Sequence, residues 1–168
     1  MYQQNKTNMN ANTNKNYNTN KNNNDKNTDK AVIIRQKDEV FFKKIEENYA
    51  VEAENVIVEL LKSNNNKLLT TSKIRNILSL INEVGEKVVF AEKNLDKKIQ
   101  NEILYIRVKL AYLYGRSLKE KVVIDFINES KLIELVMCIG DSKEKFQAFA
   151  KYVEALVAYH KFYGGKDD

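Results

Sequence analysis

The stretch Phe149-Ala-Lys-Tyr-Val-Glu-Ala-Leu-Val-Ala-Tyr-His-Lys-Phe-Tyr-Gly-Gly-Lys-Asp167 decides the fold of this chain. Read back to Phe146, it places Phe146, Phe149, Val153, Leu156, His160 and Tyr163 at helical steps along one stripe. Tyr152, Val157, Tyr159 and Phe162 widen that stripe on both sides. A helix apolar over so much of its circumference packs centrally or touches two neighbours. Gly164-Gly165 is its stop, and Asp141 or Ser142 its start, with Glu144 placed for a capping box.

The rest of the chain follows the same grammar. Pro is absent and Gly occurs 5 times in 168 residues. Both facts favour long helices, because Pro breaks them and Gly weakens them. Phe41, Ile45, Tyr49, Glu52, Val56 and Leu60 form a mostly apolar stripe, with Asp38 as its N-cap and a polar loop from Ser63 to Asn66. A second helix starts at Thr70 or Thr71 and buries Ile74, Ile77, Leu78, Ile81, Gly85 and Val88, with Gly85 as a candidate close crossing. A third runs from near Asp96 to Tyr114 and stops at Gly115. A fourth segment, Lys119 to Ile139, breaks near Asn128-Glu-Ser130 and ends at Gly140. The expectation is an all-α protein, a compact bundle of about five helices over residues 31–168.

Residues 1–30 are mostly Asn, Lys and Thr. They bury too little apolar surface to offset their ordering entropy, so they read as a disordered polar tail. They contain no apolar core of a signal peptide. Lys6, Lys15, Lys21, Lys26 and Lys30 against Asp25 and Asp29 give the tail +3 of the chain's +5, leaving +2 for the remainder. If a domain so nearly neutral touches nucleic acid, a local stripe does it or neighbouring subunits help. Cys138 is the single cysteine, so a disulfide framework within the chain is excluded and a buried small hydrophobe is expected. No run reaches the roughly 20 apolar residues that cross a bilayer, and a cytoplasmic protein is expected.

Little here looks like catalysis. His160 is the only histidine, so a His-rich metal site is excluded, and a core or interface histidine with one satisfied nitrogen is expected. Tyr163-Gly-Gly-Lys166 follows a helix instead of preceding one and lacks phosphate-loop spacing. No catalytic residue, metal or cofactor is assigned, and the chain reads as a non-enzyme.

Basic residues are the remaining chemistry. Lys73 and Arg75 open the second helix beside the hydroxyls of Thr70, Thr71 and Ser72, where unpaired N–H groups favour anions. They stand about 200° apart around the axis, so they flank the apolar stripe. Arg107 and Lys109 flank the third helix, Arg116 follows Gly115, and Lys151 and Lys161 lie on the less apolar side of the last helix. Packed side by side, such elements make a shallow basic track for phosphates. Tyr105, Tyr112, Tyr152 and Tyr159 are interleaved with it; base stacking is one use of them, and burial is the expectation for each.

Three blocks carry a resemblance to a known family. They are Leu69-Thr-Thr-Ser-Lys-Ile-Arg-Asn-Ile-Leu-Ser-Leu80, Ile103-Leu-Tyr-Ile-Arg-Val-Lys-Leu-Ala-Tyr-Leu-Tyr-Gly-Arg116, and Phe146 to Asp167. In this order the chain resembles, over about residues 45–167, the small subunit of type III-A CRISPR effector complexes, the Csm complexes. The resemblance implies a compact helical protein without nuclease activity. Several copies would stack into an inner filament beside backbone subunits that hold the CRISPR RNA. They would face the guide–target path, help hold target RNA, and link the large polymerase-like subunit to the rest. RNA cutting would belong to the backbone subunits. DNA cutting and cyclic-oligoadenylate synthesis would belong to the large one. Carried onto this sequence, the RNA-binding positions are Lys73, Arg75, Arg107, Arg116, Lys151 and Lys161, with the three arginines foremost. The implied partners are CRISPR RNA, target RNA, backbone and large subunits, and other copies of the chain, with no membrane. The alternative is a structural module that bridges protein partners while its neighbours hold the RNA. A helix-turn-helix DNA binder is weaker, since no short helix-turn unit precedes the Thr70 to Ile81 helix.

Overall fold

Asp96 shows how local chemistry sets these helices: its carboxylate accepts from the Ile99 amide at 2.8 Å and starts a helix at the next residue. The computed structural model describes the backbone of residues 19–166 and the side chains of residues 36–166. Among the described residues there are six helices, α1 Thr19–Ser63, α2 Thr71–Val89, α3 Lys97–Arg116, α4 Lys121–Ser130, α5 Leu132–Ile139 and α6 Lys143–Phe162. No strand is described beyond an isolated bridge between Asn94 and Ser142. The chain divides into two units, Met1–Arg35 and Gln36–Asp168. The tail expected over residues 1–30 falls on residues 1–18, outside the described residues, and on 19–30, where only the helical backbone is described.

Asp38 is not a cap. It lies within α1, buried, and pairs with Lys131 at 3.6 Å. The stripe on α1 also differs from expectation. Asn48 leaves helical geometry (φ −156°, ψ 61°), and the kink turns the buried face. Phe42 and Ile45 precede it in the core, Ala53, Ile57 and Leu60 follow, and Tyr49 is turned outward.

The centre is α6. It packs on α2 and on α5, and α3 joins α2 to α5. Phe146, Phe149, Tyr152, Val153 and Leu156 are all buried, each contributing about 1.5–3 kcal/mol of transfer free energy. Tyr152 is fully inside, and its Oη donates to the Ser130 carbonyl at 3.2 Å. Gly85 meets Phe146 only at ordinary contact distance, 3.7 Å from an added Cβ, so it marks no unusually close crossing.

Beyond α1, three helix ends differ from the sequence reading. Gly115 does not stop α3, which runs through Arg116 to a Ser117 cap. Ser142 caps α6 by accepting from the Lys145 amide, but Glu144 stands one residue short of a capping box and instead accepts from the Ser142 hydroxyl. Thr70 is the N-cap of α2 yet makes no side-chain cap bond. The break near Asn128–Ser130 is present, with Lys131 in the left-handed region at φ 52° joining α4 to α5. Among the described residues no helix is long and apolar enough to cross a membrane.

Candidate nucleic-acid interface

Leu69 and Thr71, near the start of α2, are bonded to His160 and Lys166 at the end of α6 and just beyond it. The His160 Nε2 lies 2.6 Å from the Leu69 carbonyl. A carbonyl only accepts, so Nε2 carries the proton and donates. The Thr71 amide and hydroxyl both donate to the Lys166 carbonyl at 2.9 Å. An orphan N–H at the start of α2 is thus satisfied by the end of the chain. Gly164, at φ 90°, makes this possible: its amide donates to the Lys161 carbonyl and the Gly165 amide to the His160 carbonyl, closing α6 in a Schellman turn.

His160 itself is fully buried. Its Nδ1 has no hydrogen-bond partner. Burial pushes its pKa down, the bond to Leu69 pushes it up, and the Lys161 charge pushes it down, with a net depression below the ordinary value. It is a neutral structural histidine, as its lack of a sequence partner suggested.

These bonds bring chain ends together into one pole. Lys73, in the first turn of α2, pairs with Glu120 at the start of α4, while Lys87 near the other end of α2 pairs with Glu102 near the start of α3 at 2.6 Å. Helices α2 and α3 are therefore antiparallel, and Arg116 ends at the pole where Lys73 and Arg75 begin. Lys121 bridges to Asn64 Oδ1 at 3.1 Å, adding the end of α1. Four of the six expected positions, Lys73, Arg75, Arg116 and Lys161, share this pole. Lys67, Lys119 and Lys166, which the sequence reading did not single out as binding positions, are exposed in its connecting segments. The signal available for them was adjacency to helix ends that carry basic residues.

Arg107 and Lys151 stand elsewhere. Arg107 is exposed on the outer face of α3, and Lys151 lines a groove of about 550 Å³ between α2 and α6 with Gly85, Glu86, Phe146 and Glu154. Arg75, Arg107 and Lys151 have no ion pair among the described residues, whereas Lys73 is engaged by Glu120 and Arg116 lies 6.0 Å over the Tyr112 ring.

The tyrosines divide. Tyr152 is in the core and Tyr159 half-buried, against an expectation of burial for all four. Tyr105 and Tyr112 are 53% and 67% exposed on α3, on the same outer face as Leu104 and Val108. Lys109 lies 5.0 Å over the Tyr105 ring. Face and cation repeat at a seven-residue step, because α3 buries only Ile103, Ile106 and Leu110. Among the described residues no three His, Cys, Asp or Glu side chains gather as a metal site requires.

The sequence matches the family model described as Csm2 Type III-A over residues 43–166. It is 43% identical over 123 residues to a protein named CRISPR system Cms protein Csm2 of Streptococcus thermophilus, covering 73% of this chain and 96% of that one. Proteins of the same name from Mycobacterium tuberculosis and Enterococcus italicus are 36% and 38% identical, over 73% and 72% of this chain and 97% and 84% of theirs.

Proposed function

This chain belongs to the Csm2 type III-A family, the family of the small subunit of the type III-A CRISPR complex, and from that premise we propose that it is a non-catalytic, RNA-contacting subunit of antiviral defence in the cytoplasm. The observation that carries the reading is the basic pole: Lys73, Arg75, Arg116 and Lys161 meet where α2 begins and α3 and α6 end. Lys67, Lys119 and Lys166 surround them.

Such a surface suits a phosphate backbone and has no geometry for reading bases. Arg75 offers a fork that binds a phosphate bidentately. Lys73 and Arg116, already held by Glu120 and Tyr112, add charge at fixed positions. Arg107 and Lys151, on other faces, extend contact to RNA that passes beyond the pole. The affinity of one copy is modest, and several copies along the guide–target path gain by multivalency.

A second surface supports the protein partners. Leu104, Tyr105, Val108 and Tyr112 form an apolar ridge on α3 that is exposed among the described residues. Ridges of this kind mark protein contacts, and the bridging role between copies, backbone subunits and the large subunit fits there. The ridge favours the bridging reading and the pole favours the RNA reading; one protein carries both.

The test is a tagged purification from the native cell with RNA sequencing of the eluate. Recovery of CRISPR RNA with a large polymerase-like subunit is expected. An RNA-free eluate with unrelated partners would overturn this reading and leave the bridging role.

A further inference from the structure

We propose that His160 is a positioning residue for the basic pole: it ties the end of α6 to the start of α2, and its protonation releases that tie. The inference rests on the reading that this pole meets RNA.

The latch is small and complete. The His160 Nε2–H donates to Leu69, immediately before the N-cap of α2. The ring is also the seat of Gly165, where a Cβ would overlap the imidazole. One residue further, the Lys166 carbonyl takes both the amide and the hydroxyl of Thr71. Protonation leaves the Nε2–H on Leu69 but puts a charge and an unreceived N–H on the buried Nδ1, which drives the ring out of its pocket. With the ring gone, the chain from Gly164 to Lys166 loses its seat. Thr71 then loses its acceptor, and Lys166 is no longer held at the start of α2.

Only the neutral ring fits. His160 is fully buried, and Nδ1 faces no acceptor. An imidazolium would carry a second N–H there with nothing to receive it. The surrounding charges oppose it too. Lys161 follows it on α6 and acts on the ring. Helix α2 presents its positive N-terminal end, with Arg75 beyond it, while Lys73 and Glu120 at the start of α4 offset each other in an ion pair. The C-terminal segment carries Lys166. The acid of α1 that reaches this segment, Glu54, is taken by Tyr163 Oη at 2.7 Å.

The consequence has an unusual sign. Mild acid adds positive charge to a protein and ordinarily tightens its hold on RNA. Here it opens the pole and weakens that hold.

The experiment uses the full chain with a fluorescently labelled, mixed-sequence single-stranded RNA, and reads anisotropy beside hydrogen exchange of the Thr71 amide. Between about pH 7.5 and about pH 5.5, the protection factor of the Thr71 amide should drop by up to about tenfold while those of Ile103 and Ile106 hold, and RNA affinity should fall by no more than about tenfold, the most one proton with an open-state pKa of about 6.5 can supply. His160→Gln keeps a donor for Leu69 without titrating, so its affinity should stay flat across that range. Retained Thr71 protection in the wild-type chain at the lower pH, or an affinity that rises with acid, overturns the proposal, and neither readout depends on the variant folding. If RNA does not bind even at neutral pH, the reading of the pole falls, and the exchange profile still decides whether the latch exists.

Discussion

Gly165 and His160 occupy each other's space: the backbone at Gly165 rests on the imidazole so closely that no side chain could stand between them. Two consecutive glycines are therefore needed for different reasons. Gly164 supplies a φ of 90°, which L residues rarely adopt, and Gly165 supplies an absent side chain.

Gly165→Ala should consequently cost more than Gly164→Ala. Strain at a positive φ costs on the order of 1–2 kcal/mol. Overpacking against a ring held between α6 and Leu69 costs about 1–3 kcal/mol and also displaces the bond to Leu69. Urea denaturation of the two variants measures the difference. Equal destabilisation would mean that the His160 ring moves aside freely.

Stability should depend on pH through the same residue. His160 titrates below its ordinary value in the fold, chiefly through burial. The unfolded chain, with a pKa of about 6.5, then binds the proton more readily. The contribution of His160 is complete above that value, falls as pH drops through it, and levels off below the depressed folded value. Thermal unfolding between pH 8 and pH 5 should show this fall in the wild type and a smaller one in His160→Gln, with about pH 6.5 as its upper edge.

Cys138 should be inert in the folded protein. Burial, followed by the charges of Glu39 and Asp38, pushes its thiol up to about 11. Thiolate is the reactive form, so modification by a thiol reagent at neutral pH should follow unfolding. Rapid labelling without denaturant would place the side chain outside the packed face of α5.

Much of the fold was legible because it depends on neighbours in sequence. Asp96 and Ser142 are caps that a local pattern reveals, and the Ile74, Ile77, Ile81, Val88 stripe of α2 needs only helical periodicity. What escaped depends on distant partners. Asp38 looks like a cap, but Lys131 receives it inside the bundle. Tyr49 belongs to the stripe of a straight helix, and Asn48 bends that helix away. The candidate site divides in the same way. Arg75 and Arg116 were visible as basic residues at helix ends, whereas their meeting at one pole depends on the antiparallel pairing of α2 and α3. No side chain near His160 in the sequence pointed to its partner, because Leu69 offers only a backbone carbonyl, 91 residues away in the chain.

The central claim is that the pole holds RNA by its phosphates, and the salt dependence of RNA affinity tests it most directly. In the assembled complex, or with the full chain at high concentration, log affinity should fall linearly with log salt. The double variant Arg75→Ala, Arg116→Ala should flatten that slope by about 1.4, roughly 0.7 for each single-strand phosphate no longer neutralised. A folded double variant that assembles normally and keeps the wild-type slope and affinity would contradict the account and leave this subunit as a bridge between proteins.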